Sequence, residues 1–157
     1  MKAFRILIAT VVLSALTLTS CSKDDNNVQV PTSILGKWNF AKTVTQTNVG
    51  ASIGPEIIID YTGDEANCNR DYLEFNSDQS ARKVIYYKNA QSVCTEDANL
   101  GNYTKSGETV TINLAQDEEY NGTFKITKLT STNMSLERTQ NIGSSTLIVT
   151  QLLTKAN

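Results

Sequence analysis

The stretch TVTINL, residues 109–114, decides the fold class of this chain. Every second residue in it is apolar, and the residues between are threonine or asparagine. The same period of two runs through TFKITK, residues 123–128, and MSLE, residues 134–137. Apolar side chains at every second position are typical of strands with one buried face. No window after residue 21 has a good helical period, so the sequence predicts an all-β domain.

Turn residues divide the rest of the pattern into eight predicted strands. Ser106-Gly107 predicts a tight hairpin turn. Asn121-Gly122 is either a second turn or a bulge inside a long strand. Eight short antiparallel strands in succession indicate an up-and-down barrel or a sandwich. The predicted strands cover residues 37–47, 71–76, 80–88, 101–106, 108–114, 119–129, 133–139 and 145–154.

The connections between these strands differ in length. The first connection, residues 48–70, and the third, residues 89–100, are long, whereas the second, fourth and sixth are short. In a meander, alternate connections lie at the same end of the sheet. We therefore expect one end of the domain to be closed by tight hairpins and the other end to carry the long loops.

The N-terminal segment has the pattern of a secretory signal. Lys2 and Arg5 precede an uncharged and mostly apolar run, residues 6–18, which is too short to span a bilayer. The run ends in LTSC, residues 18–21, which resembles the lipobox of bacterial lipoproteins. The resemblance implies cleavage before Cys21, a diacylglyceryl group on its sulfur, and acylation of the new amino terminus by a fatty acid such as palmitate. The alternative is an ordinary signal peptide with a chance cysteine.

Three segments follow from this interpretation: a lipoprotein signal peptide (1–20), an acylated flexible tether (21–33) and one domain (34–157). The tether begins with SKDD, residues 22–25, which resembles the surface-export signal of lipoproteins in the Bacteroidetes. It also lacks the aspartate after Cys21 that marks inner-membrane retention in enterobacteria. These features predict an outer-membrane anchor and a place on the cell surface. The alternatives are a simple solvated tether and the periplasmic face.

Two cysteines remain once Cys21 is lipidated, and they predict a disulfide. Cys68 and Cys94 would lie in an oxidising compartment, where pairing is the default. Both fall in long connections at the same predicted end, as meander topology requires. The bond would close a loop of about 25 residues and contribute on the order of 3 kcal/mol. Zinc is not predicted, because the sequence has no histidine and no C-x-x-C pair.

Residues for catalysis or nucleic-acid binding are scarce. Removing residues 1–20 takes away Lys2 and Arg5 and no acid, which leaves 12 basic and 16 acidic residues and a net charge of −4. A mildly acidic chain with no basic cluster argues against nucleic acid as a partner. Without histidine, a Ser-His or Cys-His nucleophile cannot be assembled. We predict no enzyme and no cofactor, and a solvated turn at the acidic residues 117–119.

One spacing resembles that of a calcium loop. Asn67, Asn69, Asp71 and Asp78 have the right separations, but Tyr72 occupies the position where the turn requires glycine. We therefore predict no metal site.

Four further pieces of sequence resemble a known family. Gly36-Lys37-Trp38 resembles the G-x-W motif of lipocalins. The pieces YLEFNSD (72–78), GNYTKSGETVTINL (101–114) and FKITKLTSTNMSLE (124–137) are similar to the lipocalin-like domains of Bacteroidetes lipoproteins. The resemblance implies an eight-stranded antiparallel up-and-down barrel, with Trp38 plugging its closed end.

The chain departs from the lipocalin pattern at three points. Asp78-Gln79 stands where an Asp-Gly turn is usual. The arginine that packs on the tryptophan from the last strand in true lipocalins has no counterpart, and the sequence predicts no C-terminal helix after residues 145–154.

The alternation places eight side chains on the inner face of the barrel, towards its mouth. They would line a cup that binds a small apolar or amphipathic ligand, with Arg138 as the partner of a carboxylate. Alternatively, Arg138 extends into solvent at the end of its strand. The alternative function is that of a structural or interaction lipoprotein, in which side chains fill the barrel and the open-end loops contact a partner. The eight residues are Val44, Tyr86, Tyr103, Ile112, Leu114, Tyr120, Leu136 and Arg138.

Residues 54–61 contain three consecutive isoleucines, Ile57 to Ile59. This segment either covers the cup or docks a protein partner, or else it forms an extra short strand or a loop packed on the core.

Overall fold

A computed structural model describes residues 33–157, which form nine antiparallel strands. These residues contain no helix, and so none long and apolar enough to cross a membrane. The signal peptide, Cys21 and nearly all of the predicted tether lie outside the described residues. The strands are β1 (Gly36–Val49), β2 (Ser52–Asp60), β3 (Tyr72–Phe75), β4 (Ser80–Lys88), β5 (Cys94–Ser106), β6 (Thr109–Leu114), β7 (Gly122–Leu129), β8 (Asn133–Ile142) and β9 (Ser145–Lys155).

β1 closes the sheet into a barrel. Along one edge it pairs with β9, from Trp38 opposite Lys155 to Val49 opposite Ser145. Along its other edge, the first residues of β1 pair with β3. From β3 to β9, each strand pairs with the next one in the chain. β1 and β3–β9 therefore form a closed, eight-stranded antiparallel up-and-down barrel, which confirms the predicted fold class.

β2 is a ninth strand within the first long connection. It pairs with β1 beyond the point where β3 ends, from Lys42 opposite Asp60 to Val49 opposite Ser52. The segment with the three isoleucines is thus the extra strand of the sequence-based alternatives. It is not packed on the core, because Ile57, Ile58 and Ile59 are 58%, 59% and 56% exposed.

The structure corrects two predicted strand starts, one predicted strand end and the position of a bulge. The corrected end is that of β8, which continues to Ile142 instead of residue 139. β5 begins at Cys94, seven residues earlier than predicted, because it pairs with the full length of β4. β7 begins only at Gly122, because the Asn121 side chain bonds both the N–H and the carbonyl of Leu114 and so ends the loop there. The bulge in this strand lies at Thr127 instead, between the pairs made by the residues on either side. The turn at Ser106-Gly107 is confirmed, with Gly107 at φ +56°.

A second bulge changes the inward face of β1. Trp38 and Phe40 point into the barrel, and the register with β9 then shifts at Ala41. The extra residue exchanges the two faces of the strand. Beyond it, Thr43 lies opposite the buried Gln151. Val44 is consequently on the outer face.

The closed end of the barrel is plugged by Trp38. Its side chain is fully buried, and its indole N–H donates to the carbonyl oxygen of Ile34 at 2.6 Å. The ammonium nitrogen of Lys155 lies 4.3 Å from the centroid of the indole ring and donates to the carbonyl of Leu35. A Cβ on Gly36 would come within 2.7 Å of that nitrogen, and Gly36 has a φ of +97°. Because the glycine of the G-x-W motif has no Cβ, it leaves room for the Lys155 ammonium group over the indole ring.

Apolar side chains fill the barrel from this plug to about mid-height. They form one contiguous cluster in which every member is at most 8% exposed. The cluster consists of Ile34, Trp38, Phe40, Leu73, Phe75, Ala81, Tyr103, Val110, Ile112, Leu114, Tyr120, Phe124, Ile126, Met134, Leu136 and Leu153.

Candidate functional site

Four connections surround the open end of the barrel: those after β1, β4, β6 and β8. The predicted disulfide is confirmed there. Cys68, in the loop between β2 and β3, is bonded to Cys94 at the start of β5, with a Cα–Cα distance of 5.6 Å. The bond fastens the longest loop of the domain to the β4–β5 hairpin.

The same loop is tied down by a buried carboxylate. Asp71 is fully buried and accepts hydrogen bonds from the Tyr86 N–H at 2.6 Å and from the Tyr61 hydroxyl at 2.5 Å. Asp64 accepts from the Asp71 N–H at 2.9 Å and from Arg70 Nε at 2.8 Å. Burial, and then the bond to Asp71, raise the pKa of Tyr61 far above its ordinary value. The loop is therefore a fixed wall of the mouth.

Four aromatic rings form the bottom of the mouth, and we call them the aromatic floor: Phe40, Tyr61, Tyr120 and Phe124. The ring centroids of Phe40 lie 5.2 Å from those of both Tyr61 and Tyr120, and Tyr120 lies 6.4 Å from Phe124. Burial, and then the charge of Glu119, raise the pKa of Tyr120 well above its ordinary value. Below this floor lies the filled core.

A polar layer rests on the aromatic floor, and it consists of Thr43, Lys83, Asp117, Glu119 and Gln151. Lys83 Nζ lies 2.9 Å from Asp117 and 3.4 Å from Glu119, and the Lys83 and Asp117 side chains are only 13% and 3% exposed. Gln151 donates to Glu119 at 3.3 Å and accepts from the Thr43 hydroxyl at 2.8 Å. The prediction of a solvated acidic turn is therefore wrong for Asp117, because a lysine inside the barrel neutralises it.

Arg138 stands on the inner wall of β8, level with this layer. Its Nη1 lies 3.3 Å from the carbonyl oxygen of Asn121 and 3.5 Å from that of Glu118. With the Gln140 amide oxygen turned towards it, Nε and Nη2 donate at 3.1 and 3.0 Å. Its guanidinium carbon lies 5.6 Å from the Phe124 ring centroid. Within residues 33–157, no carboxylate lies at ion-pair distance from Arg138.

The family model for the lipocalin-like domain matches residues 34–136. This chain belongs to the lipocalin-like family. A solved structure of a lipocalin-like protein from Bacteroides uniformis is 17% identical, covering 78% of this chain and 98% of that one with a TM-score of 0.45. A deswapped triple mutant of bovine odorant-binding protein is 16% identical, covering 78% and 74% with a TM-score of 0.37. No protein of curated function matched the chain.

Five of the eight predicted ligand-contacting residues lie in the core of this lipocalin-like barrel. Their side chains are at most 6% exposed and pack against one another, so they do not line an open cup. These five residues are Tyr103, Ile112, Leu114, Tyr120 and Leu136. Tyr120 alone also contributes to the floor of the mouth.

The other three predicted residues differ in position. Arg138 is on the inner wall of the mouth, as the alternation indicated. Val44 is on the outer face because of the bulge at Ala41. Tyr86 is also outside: Ala81 and Ile85 belong to the core side of β4, so Tyr86 points away and packs on Tyr72 with ring centroids 6.4 Å apart.

Three surface hollows lie away from the mouth. Hollows of about 300, 220 and 510 Å³ are lined by residues of the closed end, of the outer face of β8 and β9, and of the groove beside Tyr72. None of the three includes a residue of the aromatic floor or of the polar layer.

Proposed function

We propose that this chain is a non-catalytic, lipid-anchored binding module of the bacterial outer membrane, and that it recognises its partner through the open end of a filled barrel. One observation carries the proposal: apolar side chains that are more than half exposed are concentrated on the hairpins of that end. Scattered single apolar residues are ordinary on a surface, but a concentration on one face is typical of an interaction site. Seven of the eight such side chains in residues 33–157 lie there, and the eighth, Leu100, lies within β5. The seven are Val49, Ile53, Ile57, Ile58, Ile59, Val93 and Ile142.

The anchor fits this use of the open end. The lipobox-like sequence supports acylation of Cys21, and two or more acyl chains hold a protein firmly at a membrane. The chain enters the barrel at the closed end, where β1 begins. The tether, residues 21–33, reaches a few tens of ångströms when extended at about 3.3–3.6 Å per residue. We therefore expect the membrane near the closed end and the mouth directed away from it, on the cell surface.

The charged groups of the mouth favour binding over catalysis. Lys83 is engaged by Asp117 and Glu119, and Asp71 is engaged by two hydrogen-bond donors. Charged groups that are ion-paired or hydrogen-bonded to each other in this way fix the shape of the mouth. None of these groups is then available as a general acid or base.

A second candidate function is supported by Arg138. Its guanidinium bonds only neutral acceptors within the described residues, and it lies beside the apolar ring of Phe124. A small amphipathic ligand would place its acid group on Arg138 and its apolar part on the aromatic floor. Because the core is filled below Tyr120, such a ligand would occupy only the upper half of the barrel.

Photo-crosslinking in living cells tests the main proposal. In the full-length chain, a photoreactive residue replaces Ile58 at the open end of the barrel. As a matched control, it replaces the exposed Lys105 at the closed end. We expect a discrete covalent adduct from position 58 and none from position 105. Adducts of equal yield from both positions, or none from either, would overturn the proposal. A charged fatty acid found by native mass spectrometry of the purified chain would instead support the second candidate.

A further inference from the structure

β2 leaves one edge unpaired. Its pairing partner is β1, and within residues 33–157 no strand pairs with its other edge. The edge runs over nine residues, Ser52–Asp60, and eight of them are exposed on both faces of the strand. An exposed edge of this length presents backbone donors and acceptors to any extended chain that reaches it.

Unlike the edge of β2, the neighbouring edge of β4 is covered by the loop between β2 and β3. The N–H of Tyr86 is taken by the carboxylate of Asp71 at 2.6 Å. Lys88 forms an ion pair of 3.7 Å with Glu65, in the disulfide-bonded loop. The loop therefore covers the upper part of β4 and leaves β2 uncovered.

The backbone groups available on the free edge follow from the pairing with β1. The N–H of Tyr61 donates to the carbonyl of Ala41 at 2.8 Å, which directs the polar groups of residue 61 towards β1. In an antiparallel pair this direction alternates along the strand, so those of Ile59 and Ile57 also face β1. The N–H and C=O groups of Asp60, Ile58 and Glu56 consequently face the free edge. By the same alternation, the backbone nitrogen of Pro55 faces β1. The proline therefore removes no N–H donor from the free edge.

The side chains beside this edge have a definite charge pattern. Glu56, Ile58 and Asp60 share one face of β2, and Ile57 and Ile59 share the other. Asp60 forms an exposed ion pair of 2.9 Å with Lys42, whereas Glu56 lies opposite the neutral Gln46. The edge thus offers three isoleucines between two acids.

This pattern argues against a second copy of the chain as the occupant. If two β2 edges paired antiparallel about Ile58, Glu56 of each copy would lie opposite Asp60 of the other. In a parallel pair aligned in register, each acid would lie beside its own counterpart. Like charges directly opposite each other destabilise a strand pair.

We infer that β2 accepts an extended segment of a partner protein as an added strand, and that this segment carries basic residues on either side of a short apolar run. The basic side chains match Glu56 and Asp60, the apolar run covers Ile57, Ile58 and Ile59, and the backbone bonds the outward groups of Glu56, Ile58 and Asp60. The inference rests on the proposed function, because it names the partner of the same open end.

Synthetic peptides with selectively methylated amides test strand addition. The full-length chain in detergent is titrated with the fluorescent peptide Thr-Lys-Val-Ile-Val-Lys-Thr and with two N-methylated forms, one blocked at its odd amides and the other at its even amides. A peptide that adds as a strand bonds through only one of these sets. We expect one methylated form to bind roughly tenfold or more weakly and the other to bind within about twofold of the parent. The acidic analogue with glutamate for both lysines should also bind more weakly.

A variant pair supplies the same test from the protein side. Ile58→Pro removes the outward N–H at position 58, and Ile58→Ala shortens the same side chain but keeps that N–H. We expect the proline variant to lose peptide binding and the alanine variant to retain most of it, with thermal melting reporting whether each is folded.

Several results would overturn the inference: equal binding of the two methylated peptides, no binding of any peptide, or equal binding of the acidic analogue. A dimer of the full-length chain in sedimentation that Ile58→Pro dissociates would instead identify a second copy as the occupant. If position 58 crosslinks in cells but the peptides fail, this inference falls and the proposed function stands. If position 58 gives no adduct in cells, the proposed function falls.

Discussion

Lys155 lies over the indole ring of Trp38, with its ammonium nitrogen 4.3 Å from the ring centroid. The last strand thus supplies a cation to the tryptophan of the G-x-W motif, although the sequence has no arginine there. A lysine does so because Gly36 leaves room for it and the carbonyl of Leu35 accepts its hydrogen bond. The closed end of the barrel is therefore sealed by a cation–aromatic contact between the first and last strands.

We predict that Lys155→Ala lowers the free energy of unfolding by roughly 1 kcal/mol, the usual size of a partly desolvated cation–aromatic contact. Lys155→Arg should restore most of it, because the charge stays over the ring. Trp38→Ala should cost about 3–5 kcal/mol through the cavity it leaves. Denaturant unfolding of the three variants measures these values. Equal losses of unfolding free energy in the alanine and arginine variants would show that the charge at position 155 does not stabilise the closed end.

The ion pair between Lys83 and Asp117 gives the second prediction. Lys83→Met should destabilise the domain by about 3 kcal/mol, because it leaves the buried Asp117 carboxylate without its cation, with only the neutral donors of Tyr120 and Asn99 bonded to it. The double variant Lys83→Met with Asp117→Leu should recover much of that loss, because it removes the unpaired charge as well. Chemical denaturation of the two single variants and the double variant forms the cycle. Strictly additive losses would show that the two residues do not interact.

The sequence alone predicted the barrel well, for a physical reason. In β6, Val110, Ile112 and Leu114 alternate without interruption, and all three side chains are at most 3% exposed. The pairing of Cys68 with Cys94 also followed, because a meander brings alternate connections to one end. The strands and the disulfide follow from local period and chain order, whereas the choice of a barrel over a sandwich depends on the resemblance to lipocalins.

The interior of the mouth could not be predicted in the same way. The alternation predicts the wrong face for Val44, because no glycine or other turn residue in the sequence indicates the bulge at Ala41. Lys83 alternates with Ala81 and Ile85 and so has the inward period, but a lysine at a strand position normally indicates solvent. Its partner Asp117 lies far along the chain, and the fold alone brings the two charges together.

Alkaline pH should destabilise the domain through its tyrosines. Burial raises the pKa of Tyr72 to about 12, and it raises those of Tyr61 and Tyr120 further. Because the folded pKa values exceed the unfolded value near 10, stability is complete below pH 10 and is lost as the pH rises towards the folded values. Unfolding free energies measured from pH 8 to pH 12 should fall above about pH 10. Tyr120→Phe should make the fall less steep, and an unchanged profile in that variant would contradict the assignment.

The lipid anchor can be tested directly at Cys21. We predict that cells producing the chain incorporate labelled palmitate into it, because the residue ends a short apolar signal and completes a lipobox-like sequence. Cys21→Ser should take up no label and should leave the outer-membrane fraction. Cys68→Ser is the matched control, because it removes a thiol from the disulfide and not from the lipobox. Equal labelling of wild type and Cys21→Ser would refute the anchor.

The second candidate function depends on Arg138, and a pair of variants separates it from the use of β2. Arg138→Gln keeps hydrogen-bond donors near the carbonyls of Glu118 and Asn121 but removes the charge, so binding of a fluorescent fatty-acid analogue should weaken roughly tenfold. Ile58→Asp, on the outer face and 59% exposed, should leave that binding unchanged and alter the unfolding free energy by no more than about 0.5 kcal/mol. Fluorescence titration and thermal melting of both variants decide the matter. If wild type does not bind the analogue, Arg138 has no ligand of this class and the open-end hairpins alone carry the function. If Ile58→Asp weakens binding as much as Arg138→Gln, the isoleucines belong to the ligand site.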